Sequence, residues 1–82
     1  MIELKKNAGD SIGKFEPLTI DEALALKEGD HVWYHGPIRG DAVKVIVSGK
    51  PIVRLEVPIK YREEQGKVNE VDIKNGMLVR EV

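Results

Sequence analysis

No cysteine occurs anywhere in this 82-residue chain. That excludes a disulfide framework and a Cys-ligated zinc site, the usual staples of a domain this small. The core must come from apolar packing alone, or from packing aided by oligomerisation. A chain of this length buries only about 60% of the surface its unfolded form exposes, so one domain with a small core and modest stability is expected. Long apolar runs are missing as well. No segment approaches the ~20 residues needed to span a bilayer. The opening residues, MIELKKNAGDSIGK, lack the apolar stretch of a secretory signal. A cytoplasmic protein with no membrane partner is the expectation. Net charge is nearly absent too, at −1, which argues against a dedicated high-affinity nucleic-acid binder.

The charge that is present is unevenly placed. Residues 1–30 carry four Lys and seven Asp/Glu, a net −3; residues 31–62 carry six Lys/Arg and two Asp/Glu, a net +4; residues 63–82 carry three Lys/Arg and five Asp/Glu, a net −2. Either the acidic ends pack beside the basic middle and cancel it, or the middle faces an anionic partner.

Along the chain, residues 2–5 suit a short edge strand. Residues 6–17 are rich in Gly, Asn, Asp and Ser without periodicity and read as a loop or mobile arm, touching the body through Ile12 and Phe15. Residues 19–28 read as a short helix. Thr19 and Glu22 form a capping box, Ile20, Ala23, Leu24 and Lys27 make one stripe, and Leu26 falls off it. Gly29 is placed to end the helix in a left-handed conformation. Three strands are expected over residues 31–35, 42–48 and 52–59, joined by a Gly-Pro loop at 36–41 and a Gly49-Lys50 turn. Residues 60–67 read as a polar connection. Residues 68–73 and 77–82 read as a terminal hairpin about Asn75-Gly76.

Placing apolar residues on one face sets a register. Val45 then pairs with Val53 and Val43 with Leu55, inside the fold. Outside lie Ile46 with Ile52, Lys44 with Arg54, and Ala42 with Glu56. In the first strand Val32 and Tyr34 point in, and His31, Trp33 and His35 point out. Pairing Tyr34 with Val43 sets Trp33 beside Lys44, in one row with Arg54. In the last hairpin Val71 faces Val79, Ile73 faces Met77 and Glu70 faces Arg80. An indole, an ammonium and a guanidinium in a row suit stacking a base and holding a phosphate, or holding an acidic or methylated peptide. The competing reading is that the chain's own arm covers Trp33 through Phe15 or Leu18.

The run Gly29-Asp30-His31-Val32, then Gly36-Pro37-Ile38-Arg39-Gly40, then Val43, resembles the opening hairpin of SH3-like small barrels of the KOW and Tudor kind. A KOW pattern has a further Gly where this chain has Asp41-Ala42. A Tudor cage needs several aromatics around one pocket, and only Trp33, Tyr34 and Tyr61 are at hand. The resemblance implies a five-stranded barrel across residues 29–82 and a habit of binding nucleic acid or peptide. The residues 1–18 arm and the residues 19–28 helix lie outside it. Small bacterial and phage proteins look similar in overall plan.

Catalytic and metal chemistry find little footing. His31 and His35 on one strand face stand roughly 13 Å apart, too far to share a metal. Ser11 and Ser48 lack a base and an orienting group. Glu63-Glu64 reads as a solvated charge pair. The Gly36 to Gly40 loop lacks the ending of a P-loop, and Arg39-Gly40-Asp41 is a chance tripeptide.

The fold expected is therefore mainly β: an SH3-like five-stranded small barrel with an N-terminal arm and one short helix. The function expected is a non-enzymatic binding module, without cofactor or metal. Its candidate ligands are nucleic acid or another anion, and its candidate contacts are Trp33, Lys44, Arg54, His31 and Arg39. The alternative is a structural or adaptor subunit that binds an acidic protein, another partner or a second copy of itself, through a sheet edge or through Trp33, Ile46 and Ile52.

Overall fold

The computed structural model describes residues 1–6, 11–35, 41–52 and 55–82. Among these the chain runs β1 (Ile2–Lys6), β2 (Ile12–Pro17), α1 (Ile20–Leu24), β3 (His31–His35), β4 (Asp41–Val47), β5 (Val57–Tyr61), β6 (Glu64–Val68), α2 (Glu70–Lys74) and β7 (Leu78–Glu81). The strands hydrogen-bond in the order β1-β2-β7-β3-β4-β5-β6, and β1 also pairs with β4. That last pairing closes β1, β2, β7, β3 and β4 into a five-stranded barrel, and β5 and β6 carry the sheet beyond it.

A closed five-stranded, mainly β barrel is the class the sequence led to, but two of its staves are not the expected ones. Residues 12–17, read as part of an arm, form β2, which pairs with β1 (Leu4 opposite Gly13) and with β7 (Phe15 opposite Glu81). Leu4 and Phe15 are 5% and 0% exposed, so their burial holds a segment whose glycine and polar content argued against a strand. Gly13 has close neighbours, two of them the ends of flexible side chains and the third the buried Phe15 ring. A Cβ on it would lie 2.7 Å from Lys6 Cε, 2.9 Å from Glu81 Oε2 and 3.0 Å from a Phe15 ring carbon.

The residues 68–73 strand is also corrected, and with it the terminal hairpin. Residues 70–74 are helix α2, so the fold has two short helices rather than one. Asn69 and Asp72 form a capping box: Asn69 Oδ1 accepts from the Asp72 N–H at 2.9 Å, and Asp72 Oδ2 accepts from the Asn69 N–H at 3.2 Å. The Asn75-Gly76 pair stops this helix instead of turning a hairpin. Gly76 sits at φ 81°, its N–H donates to the Ile73 carbonyl, and the Met77 N–H reaches back to the Asp72 carbonyl. Those two bonds are a Schellman motif, which wants glycine for the same left-handed geometry a hairpin turn wants. The Val71–Val79 register falls with the hairpin; Val71 is 63% exposed on the helix. Glu70 pairs with Lys74 one helical turn on, not with Arg80.

The third expected strand is shifted. Leu55 lies in a turn at φ 50°, and the strand begins at Val57. β4 consequently pairs Ile46 with Lys60 and Val47 with Ile59. The Val45–Val53 pairing and the Lys44–Arg54 row fall on Val53 and Arg54, outside the described residues, as do Arg39 and the Gly36 to Gly40 loop. Residues 60–67 are no mere connection: Tyr61 and Glu64 close a tight turn into β6, an edge strand whose polar side chains gave no apolar pattern to read. The residues 31–35 register holds as expected, with Tyr34 opposite Val43 and Trp33 opposite Lys44.

Helix α1 has the expected box, Thr19 Oγ1 accepting from Glu22 N–H at 3.1 Å and Glu22 Oε1 from Thr19 N–H at 2.9 Å. It stops at Leu24, five residues long. The expected stripe therefore breaks: Leu24 is exposed, and Leu26, past the helix, packs on the core. Gly29, at φ 95°, sits in a separate turn before β3.

Two cores result. Leu4, Phe15, Ala42 and Val79 fill the barrel, with Trp33 packed against them. On the opposite face of β7, β3 and β4, Leu78, Val32, Val45 and Val47 join Val57, Ile59 and Val68, and helices α1 and α2 cover them with Ala23 and Ile73. β7 is thus buried on both sides, Leu78 and Val79 each at 0% exposure.

Two substitutions test this arrangement. Gly13→Val is expected to overpack the barrel and cost about 1–3 kcal/mol, read by urea denaturation; an unchanged midpoint would mean the barrel has room there. Asn69→Ala removes the α2 cap and is expected to cost about 1 kcal/mol, whereas a hairpin at this place would be indifferent to it.

Candidate functional site

Alternation along a strand sends Trp33 and Lys44 to one face and Val32 and Val45 to the other. On the first face the register builds a row across four strands: His31 opposite Ile46, Ile46 opposite Lys60, and Lys60 opposite Gln65. One step along, Trp33 stands opposite Lys44, and on the far side Pro58 stands opposite Lys67. Lys44 lies between the end of β4 that pairs with β1, at Asp41 and Ala42, and the end that pairs with β5, at Ile46 and Val47. The face therefore passes from the barrel interior to open sheet at this residue.

Trp33 joins the two regions. Its ring meets Phe15 at 5.4 Å between centroids and 69° between planes, an edge-to-face contact. Phe15, one of the two residues expected as cover, is thus the one that touches it, and Trp33 is half-buried. The Lys44 Nζ lies 5.9 Å from the Trp33 ring centroid, within cation–π range.

Charge is distributed by face. Arg80 reaches both Glu16 on β2, Nη2 to Oε1 at 2.6 Å, and Glu22 of the α1 cap. Lys6 and Glu81 pair at 2.5 Å beside Gly13. Neither Lys44 nor Lys60 has a carboxylate within ion-pairing distance among the described residues. Lys67 meets Glu56 at 3.5 Å, with 70% of its side chain exposed. On the His31–Lys44–Lys60 face the strands β3 to β6 themselves carry no Asp or Glu, since Asp41 and Glu64 alternate to the other side.

The structure thus brings together Trp33, Lys44 and His31 of the five residues the sequence singled out; Arg39 and Arg54 lie outside the described residues. Lys60 and Lys67 were missed. The signal for Lys60 was present: Val57, Ile59 and Tyr61 alternate with Pro58 and Lys60, so extending the strand to Tyr61 would have placed this lysine outward.

Elsewhere, an open depression of about 530 Å³ lies between residues 24–28 and Lys50-Pro51. Among the described residues no three His, Asp or Glu side chains group to hold a metal ion, and no helix is long and apolar enough to cross a membrane. Comparison with protein-family models, with curated proteins and with solved structures finds no match to this chain.

The Trp33 contact is open to direct test, because Trp33 is the single tryptophan. Phe15→Leu is expected to cost roughly 1–2 kcal/mol and to raise acrylamide quenching of Trp33. Quenching unchanged from the parent would mean that Phe15 does not shield the indole.

Proposed function

We propose that this protein is a non-enzymatic binding module that takes an anionic ligand, nucleic acid foremost, on the sheet face of His31, Trp33, Lys44, Lys60 and Lys67. The observation that carries this reading is the sorting of charge. A chain of net charge −1 sets His31 and three lysines on one face of β3 to β6 and no carboxylate of those strands among them. Lys44 and Lys60, without acidic partners among the described residues, and Lys67, in an exposed pair with Glu56, attract polyanions over several ångströms, and an aromatic ring among them offers a stacking surface. The resemblance of residues 29–43 to KOW and Tudor hairpins points the same way. The sequence-proposed Arg39 and Arg54 belong to the same reading.

A second reading is association with a protein. It is favoured by the β6 edge (Glu64–Val68), which ends the sheet, and by the exposure of Leu24 at 52% and Ile52 at 54%. Light scattering that finds a strict monomer removes its self-association form.

The first reading predicts that oligonucleotides at low salt change Trp33 fluorescence, and that log K falls with log salt at a slope of about −2 to −3 for three or four cations. Fluorescence and anisotropy both flat up to high micromolar oligonucleotide would reject it.

A further inference from the structure

The lysines of this face are aligned as well as clustered. Lys44 is on β4; Lys60, on β5, is opposite the residue two beyond it, Ile46; Lys67, on β6, is opposite the residue two before Lys60, Pro58. Each step moves one strand across and one side-chain repeat along. With strands ~4.8 Å apart and same-face residues ~6.8 Å apart, the three Cα positions fall on one diagonal with steps of about 8 Å, some 17 Å from end to end. Trp33 sits beside Lys44 at the diagonal's first end.

We infer that this diagonal is a track for the backbone of a single-stranded nucleic acid, with Trp33 stacking a base where the strand enters. The inference rests on the reading of this face as anion-binding and narrows it to one ligand class. From Cα positions about 8 Å apart the flexible lysine side chains can each bring an ammonium to a phosphate of an extended strand. Lys67 gives up Glu56 cheaply, since so exposed a pair is screened by water. The Lys44 ammonium over the Trp33 ring leaves it for a phosphate and clears the ring for a base.

Two alternatives fit less well. An extended acidic peptide gains its affinity by adding to a free sheet edge. This track crosses β4, β5 and β6 obliquely, where ladder hydrogen bonds already occupy the backbone. A duplex is read by a helix or ribbon entering a groove. This face is sheet, and among the described residues neither helix lies on it, because α1 and α2 both pack on the opposite side.

The test is anisotropy with a labelled oligothymidylate of roughly twelve nucleotides, against a duplex of equal length and with polyglutamate as competitor. The parent is compared with Lys44→Gln, Lys60→Gln and Lys67→Gln, and with Lys14→Gln on β2 as a control away from the track. The single strand is expected to bind more tightly than the duplex. Each track variant is expected to weaken binding severalfold and lower the salt slope by about 0.7, and Lys14→Gln to change neither. Lys67, with 70% of its side chain exposed, keeps the comparison valid if Lys60→Gln disturbs β5. Tighter duplex binding, displacement by polyglutamate at equal charge, or a slope untouched by Lys60→Gln and Lys67→Gln would overturn the track while leaving an anion-binding face. Failure of every polyanion to bind would remove both.

Discussion

Everything in this fold depends on β1 lying parallel to β4 over two residue pairs, Lys5 with Asp41 and Lys6 with Ala42. Without it the strands form an open sheet with an apolar face turned to water. With it Leu4, Phe15, Ala42 and Val79 are enclosed and Trp33 is pressed against them. So small a barrel tolerates little volume inside it. Ala42 and Gly13 are the concessions: one has a single methyl at the seam, and the other has none where Lys6, Glu81 and Phe15 converge.

The seam also decides what is left outside. β4 serves two partners, β1 at its start and β5 at its end, so its one face changes role along seven residues. Ala42 looks into the barrel, Lys44 stands at its mouth, and Ile46 lies on open sheet beside Lys60. On the opposite face of β4, Val43, Val45 and Val47 pack into the helical core. The exposed basic face therefore follows from the closure and needs no separate device to build it.

The sequence made the β3–β4 hairpin legible because both strands alternate cleanly and their apolar residues allow one register. It made α1 legible through Thr19 and Glu22. It failed where one local signal serves two structures. Asn75-Gly76 supplies a left-handed residue after a run of mixed character, and only the Asn69-Asp72 pair distinguishes a helix stop from a hairpin turn. It failed again at β2, where tertiary burial of Phe15 overrides weak local preference, and at Leu55, whose positive φ interrupts an alternation that reads as unbroken. Of the candidate site, Trp33 beside Lys44 followed from the hairpin register. Lys60 and Lys67 did not, because their places depend on where β5 starts.

The placement of β7 bears on how the chain reaches this state. It lies between β2 and β3, and its Arg80 bonds to Glu16, 64 positions earlier in the chain. During synthesis β1 and β2 are made early and β1 can pair with β4 once that strand is made, but β2 and β3 each keep one flank bare until β7 emerges. Barrel completion is therefore a late, non-local event. Until then Phe15 and Trp33 lack the Val79 wall, and two apolar surfaces are exposed together. The window for misassociation therefore spans the synthesis of every element between β2 and β7.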